Sequence, residues 1–359
     1  MTSPINIIAV GGGKGGIGKS VVCTNLAAGM ALSGQKVILM DTDFGASNLH
    51  ALLGIGNPDH GFQDFFNDKI NDPKTLLLDT GISNLKFVSG AGDNPGSANI
   101  DSDKIGSIIS FIKNLEADTI LLDLGPGTNY NVIDFFNIST QGVVLTTPEM
   151  TSVMKTFSFI RAALFRRISI AFQDYPEIQK MVDHSNPDTA NMEAYTTGLL
   201  RSKLQEQFPD YVNQLNTLVN DFNPGLVVNR VRNRKDLIAG DNLLKLVKKF
   251  LEVDVTFLGY IIESDRVRDS IDQMIPFLIK DPQSKPSENL QQIIGSLTNT
   301  DLQFEKRDGR IFVSKQVRLS SGWEAWTINT FDLTVKSTFI FRQYSHSDKK
   351  NSSCQFPVQ

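Results

Sequence analysis

A glycine-rich segment near the N-terminus carries the residue types that bind phosphate. It reads Gly13-Lys-Gly-Gly-Ile-Gly-Lys19-Ser20 and follows the apolar run Ile5–Val10. Glycines let backbone N–H groups turn inward around phosphate oxygens, and a helix that starts here directs its positive end at the anion. Lys19 supplies a compact positive charge for the β and γ phosphates, and the Ser20 hydroxyl is a suitable ligand for Mg²⁺. The pattern GxxxxGK[ST] therefore predicts a site for ATP and Mg²⁺.

The predicted nucleotide-binding residues form one continuous segment. The simpler interpretation is a glycine-rich turn with an incidental lysine, but that turn would not require the complete motif between a strand and a helix. We expect contacts to the nucleotide from Gly13, Lys14, Gly15, Gly16, Ile17, Gly18, Lys19, Ser20 and Val21.

Carboxylates follow two further apolar runs, at places where parallel strands would end. Asp41 and Asp43 come after Lys36–Met40, and Asp123 follows Thr119–Leu122. The carboxyl ends of parallel strands face the ligand crevice in open α/β folds. These acids are therefore candidates for binding Mg²⁺ and for positioning an attacking water molecule beside the phosphates. For Asp41 and Asp43, capping of the following turn is the alternative interpretation.

Short apolar runs alternate with longer helical patterns along most of the chain. This alternation predicts an α/β fold with a doubly wound, mostly parallel sheet that is buried on both faces. The predicted strands are Ile5–Val10, Lys36–Met40, Leu85–Val88, Thr119–Leu122, Gly142–Thr146, Gly225–Val228 and Val255–Tyr260. The predicted helices between them are Ser20–Ser33, Asp103–Leu115, Thr151–Arg167 and Asp236–Leu251.

Two regions interrupt this alternation and suggest the domain organisation. Residues 169–223 hold polar helical patterns where a short connection would suffice, so we expect a helical insertion within a P-loop ATPase domain spanning residues 1–299. From residue 300 the pattern changes to β-branched and aromatic residues in alternation, which predicts a β-rich appendage over 300–345. We expect residues 346–359 to be a disordered tail.

Composition narrows the classes of function. The 359 residues are 40% apolar and carry a formal net charge of −4, which gives no global attraction to nucleic acid or anionic lipid. Cys23 and Cys354 lie far apart and in no CxxC motif, which favours a reducing compartment and gives no support for disulfides, zinc or iron–sulfur ligation. No apolar stretch is long enough to span a bilayer, and no leader pattern precedes the first strand, so we expect a cytoplasmic protein.

A second lysine within the loop, Lys14, gives the chain a family resemblance. KGGxGK[ST] is similar to the deviant Walker A motif of the MinD/ParA ATPases, in which the early lysine reaches across a dimer interface to the partner's nucleotide. The resemblance implies a homodimer that forms on ATP binding, with Lys14, Lys19 and Asp43 in catalytic roles. A solvated loop lysine is the alternative interpretation of Lys14.

The same resemblance assigns roles to the acids. Asp43 would position or activate the hydrolytic water, while Asp41 and Asp123 would hold the Mg²⁺ shell together with Ser20. The turn Gly125-Pro-Gly would sense the γ-phosphate through its backbone N–H, although the family more often reads DxPAG or DxGAG here.

Three later segments also resemble the family. Asn229 matches the strand-end asparagine that hydrogen-bonds adenine, and Leu258–Asp265 occupies the place of the loop that closes over the base. Either could simply end a strand. Glu149 matches the N/T-P-E turn, where it could contact the nucleotide or the partner chain, or cap the following helix.

Within the family, the chain is most similar to the FlhG (FleN) group, which regulates flagellar number and placement. The cues are Gly45–Gly54, Asp123–Phe136 and Phe157–Arg167, and the family likeness as a whole covers residues 5–298. FlhG-type proteins stimulate the GTPase FlhF through a glutamine-containing motif in an N-terminal extension. This sequence starts a few residues before its first strand, so direct stimulation of that GTPase is not expected.

The sequence gives limited guidance about partners. Beyond the homodimer we expect a protein regulator or cargo, with a membrane surface as a further candidate, which would place the protein peripherally at the inner face. The last predicted helix, Ser287–Ser296, has no basic face, and the lysine-rich Asn242–Leu251 lies between two strands and is expected to pack against the core. Nucleic acid is a weaker candidate that depends on two clusters of basic residues: Arg161, Arg166 and Arg167, and Arg230, Arg232, Arg234 and Lys235.

The expected function is thus a slow, partner-stimulated ATPase that acts as a dimeric switch in the spatial or numerical control of a cellular structure. The alternatives are a ParA-like DNA or plasmid partition ATPase, and a nucleotide-binding scaffold with negligible hydrolysis. Iron–sulfur carriers and arsenite pumps of this superfamily use thiolates, which neither cysteine is placed to supply.

Overall fold

A central sheet is built from the apolar runs that the sequence predicts as strands. The computed structural model describes residues 4–44, 47–58, 60–62, 64, 73–90, 102–184, 196–318 and 324–332. Within them, eight strands form this sheet in the order β3-β4-β2-β5-β1-β6-β7-β8, and only β3 runs antiparallel to its neighbour. The strands are β1 Asn6–Gly11, β2 Val37–Asp41, β3 Leu78–Asp79, β4 Leu85–Val88, β5 Thr119–Asp123, β6 Gln141–Thr146, β7 Gly225–Val231 and β8 Thr256–Ile262. The predicted α/β fold with a doubly wound, mostly parallel sheet is confirmed.

Helices connect these strands and cover both faces of the sheet. They are α1 Lys19–Leu32, α2 Leu49–Leu52, α3 Ser102–Lys113, α4 Tyr130–Asn137, α5 Met150–Ala171, α6 Pro176–His184, α7 Thr197–Gln207, α8 Val212–Asn220, α9 Ile238–Leu251, α10 Asp265–Asp272, α11 Phe277–Lys280 and α12 Lys285–Thr298. Single 3₁₀ turns occur at Pro73–Leu76, Pro209–Tyr211 and Arg234–Leu237.

Alternate residues of the central strands feed two separate cores. In β1, Ile7 and Ala9 pack in one core with α3, α4, α5 and α9, whereas Ile8 and Val10 pack in the other with α1, α11 and α12. A parallel sheet covered by helices is apolar on both faces, which explains why its strands read as continuous apolar runs. The P-loop and the carboxylates lie at the ends of strands held rigidly between these cores.

Some boundaries differ from the predicted ones. Helix α5 continues to Ala171, past the expected end at Arg167, because Ile168 extends its buried face and is fully buried. The region 169–223 contains α6, α7 and α8, so the insertion as predicted would begin inside α5. Helix α4 and the short strand β3 have no counterpart among the predicted elements. The Asn242–Leu251 segment lies in α9 and packs its apolar side into the core, as expected, with Leu243, Val247 and Leu251 at 0% exposure.

The C-terminal strands form a second sheet that shares the core of the first. Strands β9 Thr300–Arg307, β10 Arg310–Arg318 and β11 Glu324–Asp332 form an antiparallel meander in the order β11-β10-β9. Its buried side chains Leu302, Phe304, Ile311 and Val313 belong to the core that contains α1 and α12. The division at residue 300 stays a prediction, and the expected tail 346–359 lies outside the described residues. Over the part of the chain that is described, no helix is long and apolar enough to cross a membrane.

Candidate functional site

The glycine-rich loop joins β1 to α1 at the carboxyl edge of the sheet. Gly18 precedes the first helical residue with φ 93°, a left-handed conformation that favours glycine. A Cβ added at Gly13 would overlap the carbonyl oxygen of Lys155 on α5, so the loop can lie this close to the helix only because Gly13 has no side chain. The predicted nucleotide-binding segment 13–21 therefore lies where a phosphate would meet the N-terminus of α1.

Lys19 is a buried cation between two carboxylates. It is only 7% exposed, and this burial lowers the pKa of its amine, while the charges of Asp123 and Asp43 raise it. A desolvated ammonium that is held by nearby acids is well suited to bind phosphate oxygens as they replace water. The structure thus brings together Lys19, Asp43 and Asp123, as the sequence predicts.

Asp41 and Asp123 lie side by side at the ends of the adjacent strands β2 and β5, and both are buried. Their Cα atoms are register partners in the β2–β5 pair, and the residues are 1% and 2% exposed. Asp41 accepts hydrogen bonds from the Ser47 hydroxyl at 2.7 Å, from Asp43 N at 3.0 Å and from Leu49 N at 3.3 Å. Burial nevertheless raises the pKa of Asp41 to about 6. For Asp123, burial and then the Asp41 charge raise the pKa to about 8, against the opposing effects of Ser20 and Lys19.

These oxygen donors fit a Mg²⁺ ion. Asp123 Oδ1 is buried and has no hydrogen-bond partner among the described residues, a cost that a cation would remove. The residues that the structure describes contain no cluster of three or more His, Cys, Asp or Glu that could enclose a metal by itself. Mg²⁺ characteristically takes one or two carboxylates and completes its shell with water and substrate phosphates. The donor set of Ser20, Asp41 and Asp123 matches that requirement.

The raised pKa of Asp123 predicts a pH-dependent stability of the nucleotide-free protein. Its pKa of about 8 in the fold exceeds the ordinary value of about 4, so between these values the folded state holds the extra proton and stability falls as pH rises. Asp41 adds to the fall only up to about pH 6. We expect Asp123→Asn to flatten the decline between pH 6 and 8 by about 1 kcal/mol per pH unit, measured by urea unfolding in EDTA.

A matched control removes an exposed carboxylate instead. Asp301→Asn makes the same substitution on the surface of β9, away from the site. Its unfolding free energy should decline with pH as in the unsubstituted protein. Parallel declines for Asp123→Asn and the unsubstituted protein would show that Asp123 does not hold a proton in the folded state.

The Asp43 carboxylate lies against the turn Gly125-Pro-Gly that follows β5. The Cβ position at Gly125 lies 3.3 Å from both Cγ and Oδ1 of Asp43, so the carboxylate lies directly against this turn. Asp43 is only half-buried, and the three hydrogen bonds from Asp43 N, Ser47 and Leu49 are accepted by Asp41 instead. A half-buried carboxylate keeps access to water, which a group that handles an attacking water molecule requires.

Lys14 lies at the start of α5 in the single chain. Its Nζ donates a hydrogen bond of 3.4 Å to the hydroxyl of Thr151. Glu149 is the N-cap residue of this helix, but its side chain makes no capping hydrogen bond, so the capping interpretation of Glu149 finds no support in the geometry. The exposed side chain of Met150, at 64%, lies beside them.

Asn229 connects the end of β7 to the P-loop. Its Nδ2 donates a 2.8 Å hydrogen bond to the carbonyl oxygen of Ile17, and its Oδ1 accepts one of 2.9 Å from Arg230 N. Arg230 has φ 59° at an irregularity in the β7–β8 pairing, which turns the chain at this point. A Cβ at Gly18 would overlap the Asn229 amide, so glycine at this position leaves room for the contact.

The predicted base-closing segment lies next to Asn229. A cavity of about 680 Å³ is lined by Gly18, Val21, Asn229, Glu263 and Phe277, among others. Most of Leu258–Asp265 is strand rather than loop, because β8 continues to Ile262 and the chain turns only at Glu263 and Ser264. The cavity is large enough for a purine base and opens toward the phosphate loop.

The sequence did not indicate two contacts of this site. Thr151 and the backbone of Lys155 both belong to α5 and contact the loop. They are more than 130 residues away from it along the chain. Helical patterning predicts α5 itself, but no local signal shows that its first turns pack against the P-loop.

A buried lysine and an Mg²⁺-type donor set behind a glycine-rich loop define a P-loop nucleotide-binding protein. Residues 8–277 match the family model for the CobQ/CobB/MinD/ParA nucleotide-binding domain. The chain therefore belongs to this family. The resemblance to the MinD/ParA proteins that the loop sequence implies is confirmed.

Individual relatives include both division-site and regulatory proteins. The septum site-determining protein MinD of Synechocystis is 32% identical over 148 residues, which are 41% of this chain and 55% of that protein. The antiactivator FleN of Pseudomonas aeruginosa is 28% identical over 160 residues, which are 44% of this chain and 56% of that protein. The matched region thus spans little more than half the length of these relatives.

Solved structures confirm the fold. The chain superposes on the Pyrococcus horikoshii MinD complexed with Mg-ADP with a TM-score of 0.56 and 19% identity, covering 82% of this chain and 96% of that one. The ParA family ATPase of Chlorobium tepidum gives a TM-score of 0.53 at 16% identity, covering 83% of this chain and 100% of that one. At such low identity the likeness shows the fold alone.

Proposed function

We propose that the protein is an ATPase that uses Mg²⁺ and acts as an ATP-dependent dimeric switch. The observation that carries the proposal is the convergence of Lys19, Asp43 and Asp123 at the carboxyl edge of the sheet, beside a P-loop that contains Lys14. The first lysine of the motif is not needed to hold phosphate within one chain, because Lys19 already does so. Its presence favours contact with a second nucleotide.

Different residues of the site would have different roles in ATP hydrolysis. The backbone of 13–18 and the amine of Lys19 bind the phosphates, and Ser20, Asp41 and Asp123 would hold Mg²⁺, which neutralises phosphate charge when bound. Asp43 orients a water molecule for in-line attack on the γ-phosphorus. A new P–O bond forms as the bond to the β-phosphate oxygen breaks, which yields ADP and phosphate. Asn229 and Val21 line the pocket for the base.

Exposed apolar side chains on the same edge are consistent with a dimer. Tyr130 is 69% exposed and follows the turn that contains Gly125, while Met150 is 64% exposed and precedes Thr151, the contact of Lys14. Apolar surface that is contiguous beside a site marks a region that another molecule covers. We propose that a second copy of the chain covers this edge when ATP is bound.

The cellular role that we propose is FlhG-like control of the number or placement of a structure such as the flagellum. Its support is the likeness to the antiactivator FleN and to MinD, together with the sequence cues in Gly45–Gly54, Asp123–Phe136 and Phe157–Arg167. We propose residues 1–299 as the ATPase domain, with 169–223 inserted and 300–345 appended. A protein regulator or cargo is the expected partner, a membrane surface is a further candidate, and nucleic acid is the weaker candidate.

Turnover measurements with the purified protein test the proposal. We expect slow ATP hydrolysis that requires Mg²⁺, and light scattering should show a doubling of mass when ATP is present. Anionic vesicles, duplex DNA and a candidate protein are then added in separate assays. We expect only one of the three to accelerate ATP turnover. Stimulation by DNA would favour the ParA-like alternative, and tight binding without measurable hydrolysis would favour a scaffold. Absence of nucleotide binding would contradict the proposal.

A further inference from the structure

An aromatic residue next to Asp43 joins the site to the core. We propose that Phe44 is a positioning residue for Asp43, through which a cluster of phenylalanine rings fixes the carboxylate that faces the phosphates. This inference rests on the proposed function for its kinetic consequence. Its structural content, the anchoring of the backbone at Asp43, can be tested without nucleotide.

Within the described residues, the ring of Phe44 packs against two phenylalanine rings, those of Phe62 and Phe135. Phe44 is 6% exposed, and its ring centroid lies 5.7 Å from that of Phe62, at an interplanar angle of 75°. A second centroid distance of 6.1 Å, at 50°, joins Phe44 to Phe135 on α4. Phe62 in turn meets Phe111 on α3 at 6.2 Å and 83°. Aromatic pairs have preferred tilted and edge-to-face geometries, so contacts of this kind favour a particular orientation of the Phe44 ring.

The backbone before Phe44 is tied to the two buried acids. Thr42 donates to the carbonyl oxygen of Asp123 through both its N–H at 3.0 Å and its hydroxyl at 2.8 Å, and Asp43 N donates to Asp41 Oδ1 at 3.0 Å. These bonds fix the chain on the N-terminal side of Asp43. On the other side, within the described residues, the Phe44 ring is the next anchor. Asp43 is therefore held between two anchors while its side chain stays half-buried.

The same cluster joins the two segments that flank the phosphate site. Phe135 lies on α4, the helix that follows the Gly125 turn, and Asp43 itself lies against that turn. A movement of α4 would therefore shift Phe44 and with it the carboxylate. Because catalysis by an oriented carboxylate depends steeply on its position, a displacement of about 1 Å is enough to lower turnover markedly.

The competing interpretation is that Phe44 is an ordinary core residue. In that case, removing its ring lowers the free energy of unfolding but leaves the geometry of Asp43 unchanged. Phe172 offers a matched control, since it is 0% exposed and its ring meets two others, Tyr175 at 6.4 Å and Tyr211 at 6.0 Å. It lies at the end of α5, among the helices 176–220 and away from the acids.

The kinetic test compares Phe44→Leu with Phe172→Leu. We expect Phe44→Leu to lower kcat about tenfold while the KM for ATP changes less than about twofold, because ground-state binding by the P-loop is untouched. Phe172→Leu should leave both constants unchanged. In an Asp43→Ala background, Phe44→Leu should lower kcat by less than about twofold, because the carboxylate that Phe44 positions is already absent. An equal tenfold loss in that background, or an unchanged kcat, would overturn the proposal.

A second readout needs neither ATP nor turnover. Hydrogen exchange of the amides of Thr42, Asp43 and Phe44 in the nucleotide-free protein should accelerate in Phe44→Leu and not in Phe172→Leu. If the unsubstituted protein fails to hydrolyse ATP, the proposed function fails, and this exchange measurement still decides the anchoring. Unchanged exchange overturns it. If Phe44→Leu does not fold, Phe44→Met replaces the ring with an unbranched side chain that adapts to irregular space in a core, and it carries the same expectations.

Discussion

Lys14→Ala is expected to abolish ATP-dependent dimerisation while the monomer still binds ATP. Among the described residues, the Lys14 amine donates a long hydrogen bond to Thr151, 3.4 Å, so we expect its removal to cost the monomer little. Across a dimer interface the same amine would neutralise phosphate charge of the partner's nucleotide in a desolvated place. Close charge pairs at such interfaces are worth several kcal/mol, which corresponds to weakening of about 100-fold or more. Light scattering with ATP and Mg²⁺ measures the effect directly.

The control for this variant removes a lysine charge from the neighbouring helix. Lys155 is exposed on α5, and its atoms nearest to Gly13 are the backbone carbonyl and Cβ, which alanine retains, so Lys155→Ala should dimerise with ATP as the unsubstituted protein does. Equal loss in both variants would point to general electrostatics of this face. A Lys14→Ala dimer that forms normally with ATP would remove the lysine from any role across two chains.

Asp43→Ala is expected to lower turnover by about 10²- to 10³-fold and to leave the ATP-bound dimer intact. The reason is that positioning or deprotonating the attacking water contributes only as the transition state forms, whereas the loop and Lys19 bind ATP in the ground state. The dimer should therefore persist for as long as ATP remains uncleaved. Phosphate release and the mass of the complex over time measure the two effects together.

An acid at the other end of the sheet provides the comparison for Asp43. Asp79→Ala, on β3, removes one carboxylate without touching the site and should turn over normally. Asp43→Asn keeps the size of the side chain and should resemble Asp43→Ala if the charge is what acts. Unchanged turnover in Asp43→Ala would exclude this residue from catalysis, and rapid loss of its dimer would show that Asp43 is needed for association instead.

Local sequence patterns were sufficient for the elements that carry the chemistry. The strand ending at Asp41 and the strand ending at Asp123 are each a short apolar run bounded by turn residues, and both lie where predicted. Once the strands are parallel, their carboxyl ends must share one edge, so the meeting of Asp41, Asp123 and the P-loop follows from topology.

Contacts between distant segments were not predictable in the same way. The bond from Asn229 to Ile17 joins residues 212 positions apart, and Phe44 and Phe135 are separated along the chain by the strands β3, β4 and β5. A single sequence shows that these residues are apolar or polar, but not which neighbours they find. Helix α4 was missed for a related reason: at eight residues it is too short for its periodicity to stand out.

The amide of Asn229 has a consequence for the choice of base. A carboxamide offers two hydrogens and two lone pairs, and Asn229 has already committed one hydrogen to the Ile17 carbonyl and one lone pair to the Arg230 amide. If the carboxamide were flipped, its oxygen would face the Ile17 carbonyl oxygen and its NH₂ group would face the Arg230 N–H. Its remaining hydrogen and lone pair therefore point in a fixed order before any nucleotide arrives. Adenine and guanine present opposite orders of donor and acceptor at their six-positions, so we expect an amide that cannot turn over to discriminate between them where the base meets Asn229.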